Sequence, residues 1–209
     1  MMELALSTFV TLFVVLDPPG IGPIFAALSE GETDSYKRRL AIRSSLIATA
    51  ILISFAFVGE WVLRMLGVTI NSFRIAGGLL LFLVAVDMLF AHETPLRRTT
   101  PDETQEAILR HDISVFPLAI PLIAGPGAMT TVVLLMQQAG GAIANQAMVL
   151  LILAAVMVLV WIALVMATRL VKVIGVTGTN VITRVLGVIL GALAVQYVVD
   201  GLLGAFGKT

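Results

Sequence analysis

Apolar residues fill six long blocks of this chain, near Leu4–Leu28, Leu40–Val62, Ile70–Ala91, Ile113–Gln137, Gln146–Leu170 and Val181–Phe206. Each block supplies about the 20 residues that an α-helix needs to cross the hydrocarbon core of a bilayer. The polar positions are bunched between blocks. Seven charged residues lie between Glu30 and Arg43, and eight between Glu93 and Asp112. The pattern predicts an all-α membrane protein with six transmembrane helices. The first block does not read as a cleaved signal peptide, because no Lys or Arg precedes Lys37, Glu3 stands at its start and no small-residue cleavage motif follows it.

Composition removes the competing classes. The 209 residues are 59% hydrophobic and 12% charged, with a mean hydropathy of +1.05. A globular domain is about 25% charged, and so few charges cannot cover a soluble surface. A soluble domain, a disordered chain and a disulfide scaffold are excluded. With 13 basic against 13 acidic residues, no nucleic-acid partner is expected.

Six spans place both termini on one side. The first, third and fifth connections then carry ten of the basic residues, among them Lys37, Arg38, Arg97, Arg169 and Lys172, and the other side carries Arg64, Arg74 and Lys208. Lys and Arg are retained on the cytoplasmic side, so the termini are expected on the outer side of the cell (inner) membrane.

The chain also repeats itself. Gly67-Val68-Thr69 with Asn71, Arg74 and Gly77 recurs as Gly175-Val176-Thr177 with Asn180, Arg184 and Gly187. Pro18, Gly22 and Pro23 recur at an offset of 103 as Pro121, Gly125 and Pro126, and Phe13 matches Phe116. A repeat of three spans must enter the membrane from opposite sides in its two copies. The expected organisation is a first three-helix repeat (1–91), a charged cytoplasmic loop (92–112) and a second, inverted repeat (113–209). Inverted repeats occur in many secondary transporters, where interrupted spans mark the binding site, and also in channels.

The candidate chemistry lies at the two interruptions. Proline removes a helix donor, clashes with the preceding turn and drives the residue before it out of the helical region. Asp17-Pro18-Pro19-Gly20 is therefore expected to unwind the first span, with Gly22-Pro23 as the restart. In the fourth span Pro121 is the break and Gly125-Pro126-Gly127 the restart. Helices 1 and 4 would be discontinuous, with free amides suited to a carboxylate at a helix amino end and free carbonyls suited to an ammonium or a cation. Asp17 is the acidic residue near the middle of a span, where a charge costs about 2.5–3.5 kcal/mol and marks function by default. Its two compatible readings are proton or substrate-ammonium contact and capping of freed amides; the matched position in the second copy is Ile120.

Thr130, one turn past Pro126, is the further candidate contact. Ser44, Ser45, Thr49, Ser54 and Thr131 read as hydroxyls bonded within the bundle. Glu60, Asp87 and Asp200 read as pairing near span ends, Arg74 and Arg184 as interface residues, and Gly77-Gly78 and Gly187–Gly191 as close helix contacts. No hydrolase or metalloprotease motif is present. An intramembrane carboxylate pair from Asp17 and Asp87 is disfavoured by the position of Asp87 near a span end. No enzyme activity, metal or cofactor is expected.

Asp17-Pro18-Pro19-Gly20-Ile21-Gly22-Pro23 and Ile120-Pro121-Leu122-Ile123-Ala124-Gly125-Pro126-Gly127, together with the charged stretch leading into Phe116-Pro117-Leu118-Ala119, resemble the MarC family of six-span inner-membrane proteins over essentially the whole chain. The family includes SnatA-type carriers of small neutral amino acids such as glycine and alanine. The resemblance implies transport coupled to a proton or another ion such as sodium. On that reading the substrate-binding residues are Asp17, Pro18, Pro19, Gly20, Gly22, Pro23, Pro121, Gly125, Pro126, Gly127 and Thr130, with Asp17 also the coupling residue. The partners are the amino acid, the coupling ion and the lipid bilayer, and a homo-oligomer is left open. A channel and an exporter of metabolites or drugs are the alternative readings.

Overall fold

A computed structural model describes residues 2–90 and 113–207. Its helices are α1 (Met2–Leu16), α2 (Pro18–Leu28), α3 (Asp34–Met65), α4 (Ile70–Phe90), α5 (Ser114–Ile123), α6 (Pro126–Gln138), α7 (Ile143–Val165) and α8 (Ala167–Phe206). Five runs are long and apolar enough to cross a membrane: α1 with α2 (27 residues), α3, α4, α7, and Thr177–Phe206 of α8. The pair α5–α6, bent by 57°, makes a sixth. The chain is thus an all-helical membrane protein. The expected charged loop at 92–112 lies outside the described residues.

Local chemistry explains the helix ends. Thr33 caps α3 by accepting from the Tyr36 amide, with Asp34 in the first turn, where a carboxylate complements the helix dipole. At about 1.5 Å per residue, the 32 residues of α3 exceed a hydrocarbon core of about 30 Å. The excess length leaves room for the charged turn from Asp34 to Arg39 beyond it. Gly67 (φ 70°) closes the turn into α4, a conformation that glycine adopts without steric cost.

The fifth block ends earlier than its hydropathy predicts. Helix α7 stops at Val165, and Leu170 belongs to a separate arm, the start of α8, which turns at Gly175 (φ 73°, ψ 163°) before the sixth span begins. The apolar residues between Arg169 and Lys172 make this arm look like membrane span in sequence.

The two halves interlock. Helix α3 lies against α5 and α6, and α7 lies against α1 and α2. In the same way α4 packs on α6, α2 packs on α8, and α4 runs along α8, whereas the sequential pairs α3–α4 and α7–α8 touch little. Helix α6 is central, with every residue from Thr130 to Met136 buried. Leu12, Leu16, Ile21, Phe25, Leu118, Ile123, Leu134 and Leu153 are fully enclosed. Phe57, Leu151 and Val188 are more than half exposed, as residues facing lipid must be in a protein whose solvent is hydrocarbon.

Glycine sets the closest helix approach. A Cβ on Gly78 would lie 2.7 Å from the Ala194 carbonyl oxygen, and one on Gly201 would lie 2.9 Å from that of Asn71. On Gly187 it would lie 2.9 Å from the Met88 Cβ. Small residues let membrane helices gain dispersion contacts that water would otherwise have driven. The expected packing role holds for Gly78, Gly187 and Gly191 in the α4–α8 seam, whereas Gly77 faces Thr130 and Leu134 of α6.

Candidate functional site

The first interruption is a single residue. Pro18 excludes the right-handed helical region for Asp17, which adopts the left-handed one (φ 46°, ψ 59°), tolerated by Asp better than by most residues. The Asp17 amide still donates to the Phe13 carbonyl, closing α1. Its own carbonyl accepts from Gly20 N (3.0 Å) and Ile21 N (3.1 Å), and its Oδ1 accepts from Gly20 N at 3.2 Å. Pro18 and Pro19 have no N–H to satisfy. The first turn of α2 is therefore fully capped by Asp17, which is completely buried.

This corrects two expectations. The unwound stretch over Asp17–Gly20 is compressed into Asp17 alone, and α2 restarts at Pro18, leaving Gly22 and Pro23 inside the helix. The reason is that the first helical positions lack intrahelical acceptors, so prolines there cost no hydrogen bond.

Gly20 is required at its position. A Cβ there would collide with the Asp17 carboxylate and lie 2.9 Å from Thr183 Oγ1 of α8. Thr183 Oγ1 is buried and makes no hydrogen bond. Thr8 in α1 is also buried with an unpaired hydroxyl. Neither threonine was expected. The signal for Thr183 is its helical spacing of four from Thr179, within the polar stretch before Arg184.

The second interruption is longer. Phe116 and Ile120, each preceding a proline, are extended (φ −128°), and both following peptide bonds are cis. The turns of α5 are wide, with Leu118 N donating to Ile113 O and Ala124 N to Ala119 O. Gly125 (φ −75°, ψ 171°) then caps α6 without a side-chain bond, and Pro126 is its first residue, as the sequence predicts. Ile120 and Asp17, matched at offset 103, are both non-helical and for the same reason, a following proline.

Here the helix amino end is open. The amides of Gly127 and Ala128 have no acceptor within the helix, and no side chain caps them. Both residues line a cavity of about 30 Å³ with Pro121, Gly125, Pro126 and Val15, room for one or two waters. The cavity receives the amino end of α6, the positive pole of its dipole. Val15, two residues before Asp17, brings the first interruption to the edge of this cavity.

The proposed residues thus divide. Pro121, Gly125, Pro126 and Gly127 share the cavity. Gly20 lies between the Asp17 carboxylate and Thr183, while a Cβ on Gly22 would lie 3.3 Å from the Leu170 side chain, and Pro18, Pro19 and Pro23 shape α2. Thr130 is away from the cavity lining: its hydroxyl donates to the Pro126 carbonyl at 2.8 Å, and its methyl packs where a Gly77 side chain would stand.

Most of the other hydroxyls expected to bond within the bundle do so, but Ser45 Oγ is buried without a hydrogen bond. Ser44, Thr49, Ser54 and Thr131 bond to carbonyls of their own helices. Glu60 pairs with Arg64, and Asp200 accepts from Gln196. Arg74 reaches Gln137 across the α4–α6 contact, whereas Arg184 is exposed. Asp87 is buried on α4. Among the described residues no group of three or more His, Asp or Glu could hold a metal ion.

Comparison with known proteins agrees with this architecture. The model of the MarC family integral membrane proteins matches residues 2–206. A UPF0056 membrane protein of Archaeoglobus fulgidus is 38% identical over 94% of this chain and 91% of its own length. The UPF0056 membrane protein YvbG of Bacillus subtilis is 35% identical over 99% and 97%, and YhcE of Escherichia coli 33% identical over 95% and 91%. No solved structure matches the chain. With a family model and relatives covering nearly its full length, the chain belongs to the MarC family of integral membrane proteins.

Proposed function

We propose that this protein is a secondary transporter of small neutral amino acids of the glycine and alanine class, working by alternating access. The observation that carries the reading is the uncapped amino end of α6 facing a small cavity beside the span that holds Asp17. Non-helical backbone at membrane depth is tolerated only within protein or beside water, and paired interruptions are where carriers bind substrate. The amides of Gly127 and Ala128 would take the substrate carboxylate. Carbonyls of α5 would meet its ammonium.

Inverted repeats are part of the proposal, and the packing supports them. Exchanging α1–α2 with α5–α6, α3 with α7 and α4 with α8 turns each major contact into another major contact, the self-complementary pattern of a two-fold relation. The α3 and α7 contacts with the broken spans would be the surfaces that slide between outward-open and inward-open states. The excess of Lys and Arg on one side orients the termini outward. A cavity of about 30 Å³ suits a small solute better than a bulky drug.

Coupling would act through Asp17. Asp17 Oδ1 accepts from the Gly20 amide; a change in the proton on this carboxyl would alter that acceptor and let the α2 amino end rearrange. The test is uptake of radiolabelled glycine into proteoliposomes with a proton gradient, a sodium gradient or neither. Saturable uptake competed by alanine and driven by the proton gradient is expected, with Asp17→Asn retaining exchange but losing accumulation. Folded protein that takes up no glycine under any gradient would overturn the substrate, and non-saturable flux would indicate a channel.

A further inference from the structure

At the other end of α2, the fold builds a second cavity that transport does not explain. It has a volume of about 400 Å³ and is lined by Lys37 and Arg38 from the start of α3 and by Arg169 and Lys172 from the arm of α8, with Asp34 as the carboxylate among them. The four cations come from the first and fifth connections, some 130 residues apart in sequence, and none is paired with a carboxylate among the described residues.

Retention of basic residues on one side of a membrane requires their side, not their convergence. Gathering four into one concavity with a single carboxylate among the described residues raises their mutual repulsion, which a bound anion relieves. Arginine presents a planar fork to phosphate oxygens and lysine a mobile point charge, so the donor set suits a phosphate. The same lining includes apolar side chains. Phe25 and Leu164 are buried there, and Val165, the last residue of α7, joins them. A lining that combines cations with hydrocarbon at the ends of membrane spans matches a headgroup joined to acyl chains, whereas a free phosphate would use the charged residues alone. Basic pockets between transmembrane helices on the cytoplasmic side bind lipid phosphates.

We infer that Lys37, Arg38, Arg169 and Lys172 form a binding site for the phosphate headgroup of an anionic phospholipid. The site has a mechanical connection to the broken span. Between Arg169 and Lys172, Leu170 packs on Gly22 of α2, where a Cβ would lie 3.3 Å from the leucine methyl. A headgroup that fixes the arm therefore presses Leu170 onto α2, and the bound lipid stabilises the packing around the first interruption.

The experiment uses the full chain in a neutral detergent, with thermal unfolding followed as phosphatidylglycerol, phosphatidylcholine, inorganic phosphate or glycerol 3-phosphate is added. Phosphatidylglycerol is expected to raise the midpoint saturably by several degrees, and Lys37→Gln combined with Arg169→Gln to weaken its apparent affinity at least tenfold. Arg184→Gln, an exposed control, is expected to leave it unchanged. An equal shift from phosphatidylcholine, or an unaltered response in the double variant, would overturn the site. An equal shift from the soluble phosphates would reassign it to a water-borne ligand and overturn the lipid. Should the double variant fail to fold, photocrosslinking of a headgroup-labelled phosphatidylglycerol to the unaltered protein decides: labelled peptides containing residues 34–38 and 166–172 support the site, and labelling elsewhere removes it.

Discussion

Asp17 does three things with one side chain. It accepts a left-handed backbone, it caps the Gly20 amide through Oδ1, and it places a carboxylate in the sealed interior of the bundle. Substitution separates these roles. Asn tolerates the left-handed region and keeps a capping oxygen, so Asp17→Asn is expected to unfold within about 0.5 kcal/mol of the unaltered protein. Ala loses the cap, worth about 1 kcal/mol, and meets the left-handed conformation at a further 1–2 kcal/mol or so. Thermal unfolding in detergent is expected to rank the variants Asp, then Asn, then Ala with the larger gap last. An Ala variant as stable as Asn would show that α2 does not depend on the cap.

At the scale of elements, matched sequence does not produce matched structure. Gly22 and Gly125 share a register, yet Gly22 lies inside α2 and Gly125 begins α6. A Cβ on Gly125 would lie 2.6 Å from the backbone oxygen of Pro121, which cannot yield, whereas on Gly22 it meets the mobile end of Leu170 at 3.3 Å. Gly125→Ala is therefore expected to cost about 1–3 kcal/mol and to lower glycine uptake sharply, and Gly22→Ala to be mild in both. Comparable losses at the two positions would mean that the interruptions are more alike than their geometry. The sequence made the six spans, the proline positions and the restart at Pro126 legible, because hydropathy and proline sterics are local. It did not show that two consecutive prolines would fit the start of α2, since that depends on a capping carboxylate folding back. It also concealed the arm before Gly175, because alternating basic and apolar residues at a span end read as membrane until the chain is seen to turn. Thr130 was drawn to the break by spacing alone; its partner across the bundle, Gly77, lies 53 positions away, and no periodicity announces that contact.

For the molecule as a whole, the α4–α8 seam is the long contact between the two halves, and its tightness rests on glycine. Gly78→Val is expected to force the helices apart, because its Cβ would stand 2.7 Å from the Ala194 oxygen and 2.8 Å from the Val198 side chain. Gly191→Ala, with 3.7 Å to the Ala85 Cβ, fills ordinary contact space. Size-exclusion chromatography is expected to show aggregation or loss of the Gly78→Val protein and a normal profile for Gly191→Ala. A well-folded Gly78→Val variant would mean that the seam is looser than its geometry.

The interlocked halves also bear on how the chain is made. During synthesis α1 to α4 enter the bilayer before their main partners exist, since α3 needs α5 and α6, α4 needs α8, and the α1–α2 pair needs α7. Neither half completes a core of its own. Tertiary assembly therefore waits for the last helix to leave the ribosome, and the buried carboxylate of Asp17 spends that interval without the α8 surface that later encloses it.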